Sequence, residues 1–330
     1  MSGKRLSICL VGAGRMGARW AKIFSASRAV RLLLVVDPDP KAGKRIARLH
    51  RAGYAASLTR RELDAHEIDA VFVVTPHLYL YPNAERALAS GRHVFCEKPG
   101  STTSHELQSL FRLAKKKKRR LMVGFNYRYF SAIGREKKVV DSGKIGKLLS
   151  ISIRHGHTGR RGYGKEWRMD KRVAGGGVLM DQGVHVLDLV QWFLGSPIKR
   201  VSAVLSDLYW KAGVEDSAFV VLKDAKNRIA SVWVSICMWK PTFVMEVVGT
   251  KGYCVVNGVG RKYGGGEKLT IGTVNKKNQT ITERTVVCDS DPDKCLREEL
   301  SKFVKLTRSS RGNIDDPVSV LKIVEKSYGR

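Results

Sequence analysis

Hydrophobic and polar positions fall into two textures along this chain. Up to about residue 125, short apolar runs alternate with stretches of helical spacing. Leu6 to Val11, Arg31 to Val36, Ala70 to Val74, His93 to Cys96 and Leu121 to Phe125 read as strands. Met16 to Ser25, Pro40 to Arg51, Pro82 to Ser90 and Thr103 to Lys117 read as helices. That alternation predicts a parallel sheet wrapped by helices. Thr103 with Glu106 forms a capping-box start, and Gly91 is placed to end the helix before it. Asp141-Ser142-Gly143 marks a further helix end or turn.

Beyond that point the runs become β-rich and are parted by turn chemistry such as Asp224-Ala225-Lys226-Asn227 and Gly249-Thr250-Lys251-Gly252. The predicted strands are Leu148 to Arg154, Arg200 to Leu208, Ser217 to Leu222, Arg228 to Met238, Phe243 to Val248 and Tyr253 to Asn257. One strongly apolar helix, Val178 to Leu194, interrupts them, and two more are expected near Lys294 to Leu306 and Pro317 to Tyr328. Gly264-Gly265-Gly266 reads as a flexible hairpin loop. The expected class is α/β: a Rossmann dinucleotide-binding domain over 1–125, then an α/β domain with a largely antiparallel open sheet over 126–330.

The first run leads into Gly12-Ala13-Gly14-Arg15-Met16-Gly17, with Asp37 at the end of the next strand, about twenty residues on. Gly12 makes the tight turn, Gly14 lets a pyrophosphate approach the backbone, and Gly17 lets the helix pack on the strand. The phosphates then meet unpaired N–H groups at the helix N-terminus. A carboxylate at Asp37 accepts both ribose hydroxyls of NAD and repels the 2'-phosphate of NADP, so NAD is favoured. Lys41, Lys44 and Arg45 lie just beyond and offset the repulsion, which leaves NADP allowed.

Two further constellations carry chemistry. Lys98, in Glu97-Lys98-Pro99, ends a strand, where open α/β sheets bind their ligands. In Gly175-Gly176-Gly177-Val178-Leu179-Met180-Asp181-Gln182-Gly183-Val184-His185-Val186-Leu187-Asp188, helical spacing puts Asp181, His185 and Asp188 on one face. An imidazole beside a carboxylate suits proton transfer near neutral pH. The same trio also reads as a buried polar network. Zinc is not expected, because no Cys or second His pair stands at ligand spacing.

Charge and cysteines set the surroundings. The 60 basic and 30 acidic residues leave a formal charge of +30, a field that draws in anions. No nucleic-acid motif accompanies it, so no specific nucleic acid is expected. The run Lys115 to Arg120 falls where a helix should end and cations are favourable. The six cysteines show no CxxC pair, and no apolar run reaches bilayer length, so a reducing cytoplasm without membrane attachment is expected.

With these residues together, the chain resembles the Gfo/Idh/MocA family of oxidoreductases. The resemblance rests on the glycine fingerprint, Thr75-Pro76, Ala89 to Pro99, Met122-Val123-Gly124-Phe125-Asn126-Tyr127-Arg128 and the block from Gly175 to Asp188. It implies an NAD(P)-dependent dehydrogenase or reductase acting on a carbinol or ketone of a sugar, polyol or sugar derivative. The positive charge adds phosphorylated and nucleotide-linked substrates to that expectation. The implied catalytic set is Lys98, His185 and Asp181: the first two around the reacting hydroxyl, the third binding or orienting it. Cofactor contacts are expected from Gly12, Gly14, Arg15, Met16, Gly17, Asp37, Thr75, Pro76, His77, Glu97 and Lys98. Substrate contacts are expected from Lys98, Asn126, Arg128, Trp167, Arg168, Asp181 and His185.

The segment from His155 and His157 through Tyr163 to Arg168 is expected to line the substrate entrance, between the two domains. The family's open sheet implies a homodimer or homotetramer, and a metal is not implied. Many relatives carry a histidine four residues after the Thr-Pro proline, where this chain has Leu80. The family also includes regulators that sense NAD(P) without turnover, the alternative reading.

Overall fold

Residues 4–260, 262–275, 277–278, 280–309 and 317–330 are described by a computed structural model. They divide into two compact units, Met1–Gly124 with Leu296–Ser319, and Phe125–Cys295 with Val320–Arg330.

The first unit is built on strands β1 (Leu6–Val11), β2 (Val30–Val36), β3 (Gly53–Ala55), β4 (Ala70–Val73), β5 (His93–Glu97) and β6 (Leu121–Gly124). Helices α1 (Arg15–Ser25), α2 (Pro40–His50), α3 (Arg60–Ala65), α4 (Leu80–Ala89) and α5 (Ser104–Lys116) alternate with them. The strands pair in parallel in the order β3-β2-β1-β4-β5-β6. That is the Rossmann order, whose direction of winding reverses between β1 and β4. All four β4 residues are fully buried, as a parallel strand covered on both faces must be.

Boundary chemistry matches the sequence reading where local groups decide it. Thr103 Oγ1 accepts the Glu106 N–H at 3.2 Å, and Gly91 takes a left-handed φ of 76° after α4. β3 and α3 escape the sequence pattern, because three and six residues are too few to show a period.

The core of this unit is aromatic. Phe72 and Phe95 stack at 4.6 Å, and Trp20, Phe24 and Phe303 pack edge-on against one or both of them. Each fully buried ring contributes about 1.5–3 kcal/mol through the area it removes from water. Phe303 belongs to a helix near the C-terminus that the sequence reading places in the second domain. Its ring is what ties that helix to the first unit instead.

The second unit contains α6 (Ser131–Asp141), β7 (Leu148–Gly156), α7 (Lys171–Ala174), α8 (Val184–Leu194) and strands β8 (Ile198–Ser206), β9 (Ser217–Asp224), β10 (Ile229–Ser235), β11 (Thr242–Gly249), β12 (Gly252–Val259), β13 (Tyr263–Asn275) and β14 (Thr280–Cys288). Helix α9 (Lys294–Thr307) crosses to the first unit and α10 (Pro317–Ser327) returns. The eight strands run in the order β14-β13-β12-β11-β7-β10-β9-β8. Neighbours are antiparallel except β7 and β10.

One face of this sheet packs under α6 and α8. On the other face Phe219, Val221 and Val204 are half to two-thirds exposed, and Phe219 stacks on Trp233 at 5.0 Å. Alternation of buried and exposed positions along β9 is the period-2 signal of a sheet covered on one side.

Two expectations are corrected here. Gly264, Gly265 and Gly266 are not a loop but the start of β13, at φ of 81°, 73° and 144°. A side chain is excluded on the partner strand as well, since a Cβ on Gly258 would stand 1.8 Å from the Gly266 carbonyl oxygen. The apolar helix of 178–194 is likewise not one continuous α-helix. Leu179–Gly183 is a wide π-helical turn, and α8 begins only at Val184.

Candidate active site

In the first unit, the glycine loop joins β1 to α1. Gly12 has φ 105°, and a Cβ there would press on the Val74 carbonyl at 3.0 Å. A Cβ on Gly17 would lie 1.9 Å from the Gly12 carbonyl oxygen, so the first turn of α1 can sit on the loop only with glycine. Gly14 differs: nothing lies within 4 Å of its Cβ position. The first helical hydrogen bond runs from Ala18 N–H to the Gly14 carbonyl, which leaves the N–H groups of Arg15, Met16 and Gly17 facing out of the helix end.

No side chain caps this end, and its first turn holds no acidic residue. Asp37 completes the arrangement. Its Oδ2 accepts the Ala13 N–H at 2.6 Å and its Oδ1 the Asp39 N–H at 2.8 Å, which fixes the carboxylate beside the loop. The open space at Gly14, the outward N–H groups and the anchored carboxylate fit the pyrophosphate and ribose of a dinucleotide.

The neighbouring strand ends supply the other predicted cofactor residues. Thr75 and Pro76 follow β4, and the Thr75 hydroxyl is buried without a hydrogen-bond partner among the described residues. His77 is buried, and Leu80 is fully buried at the start of α4, so that position serves the core. At the end of β5, Glu97 Oε1 accepts the Trp20 indole N–H at 3.0 Å, while burial pushes the carboxyl pKa up. Lys98 follows, half-buried, with a cis peptide bond to Pro99.

The second unit assembles the acid–base residues. Asp181, in the π turn, is buried; its Oδ2 accepts the Gln182 amide N–H at 2.9 Å and lies 3.4 Å from the Arg168 guanidinium. Arg168 also lies over the Trp167 ring at 4.4 Å. His185, on the first turn of α8, stacks on the Tyr127 ring at 4.2 Å with 13° between planes. Trp167, Arg168 and Asp181 thus form one cluster.

Asp188, expected on the same face, is engaged by a residue outside that cluster. Its carboxylate binds the Arg128 guanidinium through two bonds of 2.7 and 2.6 Å. The wide turn at 179–183 changes the angle between Asp181 and the residues of α8, and Arg128, predicted for substrate, is engaged by Asp188. Asn126 Nδ2 lies 3.9 Å from Cys295 Sγ, and its buried Oδ1 meets no hydrogen-bond partner among the described residues.

The expected entrance segment is corrected as well. His155, His157 and Tyr163 are buried, 0%, 5% and 3% exposed. Tyr127 OH lies 3.0 Å from His155 Nε2, and His155 Nδ1 lies 3.3 Å from the Thr242 carbonyl. His155 Nε2 also lies 3.3 Å from the Gln182 amide oxygen, so both ring nitrogens face hydrogen-bond partners. Burial lowers both histidines to about 4, which keeps them neutral at physiological pH. These groups support Tyr127, and through its ring His185. A Tyr–His pair twenty-eight residues apart has no local sequence signature.

Comparison with known proteins agrees with this geometry. Residues 6–125 match the profile of an oxidoreductase family with an NAD-binding Rossmann fold, and residues 135–255 that of the Gfo/Idh/MocA C-terminal domain. The chain is 32% identical over 231 residues to an inositol 2-dehydrogenase of Rhizobium meliloti, which covers 68% of this chain and 66% of that protein. It is 29% identical over 214 residues to a levoglucosan dehydrogenase of Pseudarthrobacter phenanthrenivorans, covering 62% and 54%. The matches therefore span two thirds or less of these two relatives.

Among solved structures, GenD2 from gentamicin A biosynthesis, in complex with NAD, superposes with a TM-score of 0.84 at 26% identity, covering 100% of this chain and 95% of that one. Rossmann topology, the glycine-loop geometry and the two profiles converge: the chain belongs to the Gfo/Idh/MocA family of NAD-binding oxidoreductases.

Proposed function

We propose that the protein is an NAD(P)-dependent dehydrogenase that oxidises a CH–OH group of a sugar or polyol, or reduces the corresponding ketone. The observation that carries this reading is the buried Asp181, paired with Arg168, four residues before His185 on a helix start that packing holds in place. The two curated relatives named above act on inositol and levoglucosan, both polyhydroxylated rings. When bound, the dinucleotide supplies the nicotinamide ring that exchanges hydride with the carbinol carbon.

The chain's own residues do the rest. In oxidation, His185 takes the hydroxyl proton and Lys98 donates a hydrogen bond to the oxygen as negative charge develops on it. Asp181 orients His185 or a neighbouring hydroxyl, while Trp167, Arg168, Asn126 and Arg128 bind the substrate. Gly12, Gly14, Arg15, Met16, Gly17, Thr75, Pro76, His77 and Glu97 hold the cofactor.

NAD is the favoured dinucleotide, since the Asp37 carboxylate would repel a 2'-phosphate. The charge of +30 favours encounter with phosphorylated or nucleotide-linked sugars. The free thiols of all six cysteines suit a reducing cytoplasm. We also assign the open sheet face around Phe219 and Trp233 to contact with a second copy of the chain.

A screen of sugars and inositols, read by nicotinamide absorbance, tests the assignment. Lys98→Met and His185→Ala should then each lower kcat by about 10²- to 10⁴-fold with little change in NAD affinity. Near-normal turnover in both folded variants would exclude the pair. NAD binding with no turnover of any compound would make the protein a sensor instead.

A further inference from the structure

The turn that presents Asp181 and His185 is gripped by groups from two distant parts of the second unit. Glu215 Oε1 accepts the N–H groups of Gly177 and Leu179, each at 3.0 Å, and Oε2 lies 3.0 Å from the same Gly177 nitrogen. The Glu215 carbonyl accepts the Val178 N–H at 2.8 Å. Three consecutive backbone donors therefore end on one residue. Tyr328, just past α10, donates its hydroxyl to Glu215 Oε1 at 2.7 Å.

The triple glycine follows from this grip. Gly175, at φ 80°, closes α7 in the left-handed region. A Cβ on Gly176 would stand 2.1 Å from the Tyr328 hydroxyl oxygen, and one on Gly177 would stand 2.0 Å from the Glu215 carbonyl oxygen. The next link reaches the chemistry directly, because the Gly177 carbonyl accepts the N–H of Asp181 at 3.0 Å. Among the described residues every hydrogen bond to the Glu215 side chain comes from a donor, an arrangement that favours the ionised carboxylate. Burial raises the pKa of that carboxyl, and the four donated bonds oppose the rise.

We propose that Glu215 and Tyr328 are positioning residues for Asp181 and His185: Glu215 sets the wide turn that carries Asp181 and leads into the first turn of α8, where His185 stands, and Tyr328 sets Glu215. The proposal rests on the catalytic reading above for its kinetic consequence, but its structural consequence is independent of any substrate. In free solution three adjacent N–H groups have no reason to converge. Here a single carboxylate and its own peptide carbonyl determine where the π turn begins, and hence the angle at which Asp181 leaves the helix.

Full-length Glu215→Gln, Tyr328→Phe and the double variant test it. Glu215→Gln keeps one acceptor oxygen but removes the charge and sets an amide NH₂ against the Gly177 N–H in place of Oε2, so it should lower kcat by about 10- to 100-fold, with KM changed less and NAD Kd within about twofold. Tyr328→Phe removes one bond to a charged group, and a fall of roughly 3- to 10-fold is expected. If Tyr328 acts through Glu215, the double variant should be no worse than Glu215→Gln alone. The side-chain resonance of His185 in isotope-labelled protein, assigned by its loss in His185→Asn, should shift in both single variants.

Unchanged kcat and an unmoved His185 resonance in folded Glu215→Gln would overturn the proposal, as would additive losses in the double variant. If no compound turns over with the unmodified protein, the catalytic reading fails and the resonance alone decides this one. Should Glu215→Gln not fold, Tyr328→Phe keeps the carboxylate and decides by the same two measurements.

Discussion

Glu136 lies on α6, fully buried, and neither carboxyl oxygen meets a hydrogen-bond partner among the described residues. A charge there is far from solvation, so burial holds its pKa well above the ordinary carboxylate range. A group whose folded pKa lies above its unfolded value binds protons more tightly in the native state. Its contribution is complete below the unfolded value, near 4.3, and is lost as pH rises through the folded one. Stability should therefore fall with rising pH from this group. Glu136→Gln, which is neutral at all pH, should raise the melting temperature at pH 8 more than at pH 5. Denaturation across that range checks it; an equal effect at both ends would show that Glu136 titrates normally.

At the scale of elements, the glycine loop separates two jobs that share one motif. Gly17→Ala drives a Cβ into the Gly12 carbonyl, so α1 must shift from β1, at a cost of about 1–3 kcal/mol. Gly14→Ala meets open space at φ −72°, so the fold should lose no more than about 1 kcal/mol at this N-cap. Its methyl nevertheless occupies the room needed by a pyrophosphate. The expected outcome is a near-normal melting temperature with weakened NAD binding for Gly14→Ala, and a lowered melting temperature for Gly17→Ala, by calorimetry on both. A similar division holds for what the chain's pattern announces. Local signals such as Thr103 with Glu106 survive intact because their partners are three residues apart. The start of α8 does not, because Glu215 and Tyr328 lie far along the chain from Gly177.

For the molecule as a whole, charge and an exposed apolar face dominate behaviour. Phe219, Val221 and Val204, beside Trp233, form an uncovered apolar strip on β8 to β10, the kind of surface that marks an interface. For the self-association proposed above, Phe219→Asp should give a smaller sedimenting species than the unmodified protein while leaving the monomer folded. The same sedimentation profile for both proteins would remove the strip from the interface. The excess of cations calls for a separate measurement. Duplex DNA should bind weakly and be released as salt approaches physiological strength, because the attraction is counterion release without a base-reading element. Tight binding at that salt would give the charge a partner of its own. Among the described residues, no helix is long and apolar enough to cross a membrane.

What the amino-acid sequence determined alone is whatever depends on neighbours in the chain. The short apolar runs dictated the parallel strands, the alternating runs dictated the one-sided sheet, and the glycine fingerprint with Asp37 marked the dinucleotide loop. The family motifs placed Lys98, Asp181 and His185 as candidates. Tertiary structure decided the rest, since it turns on contacts between residues far apart. It sent Phe303 into the first unit, where the rings of Phe72 and Phe95 offered an apolar surface. It buried His155 and His157 around Tyr127, paired Asp188 with Arg128, and widened the turn before α8 through Glu215. A period along the sequence reports which face of an element is apolar, but not which distant carboxylate will claim its end, because that choice is made by packing.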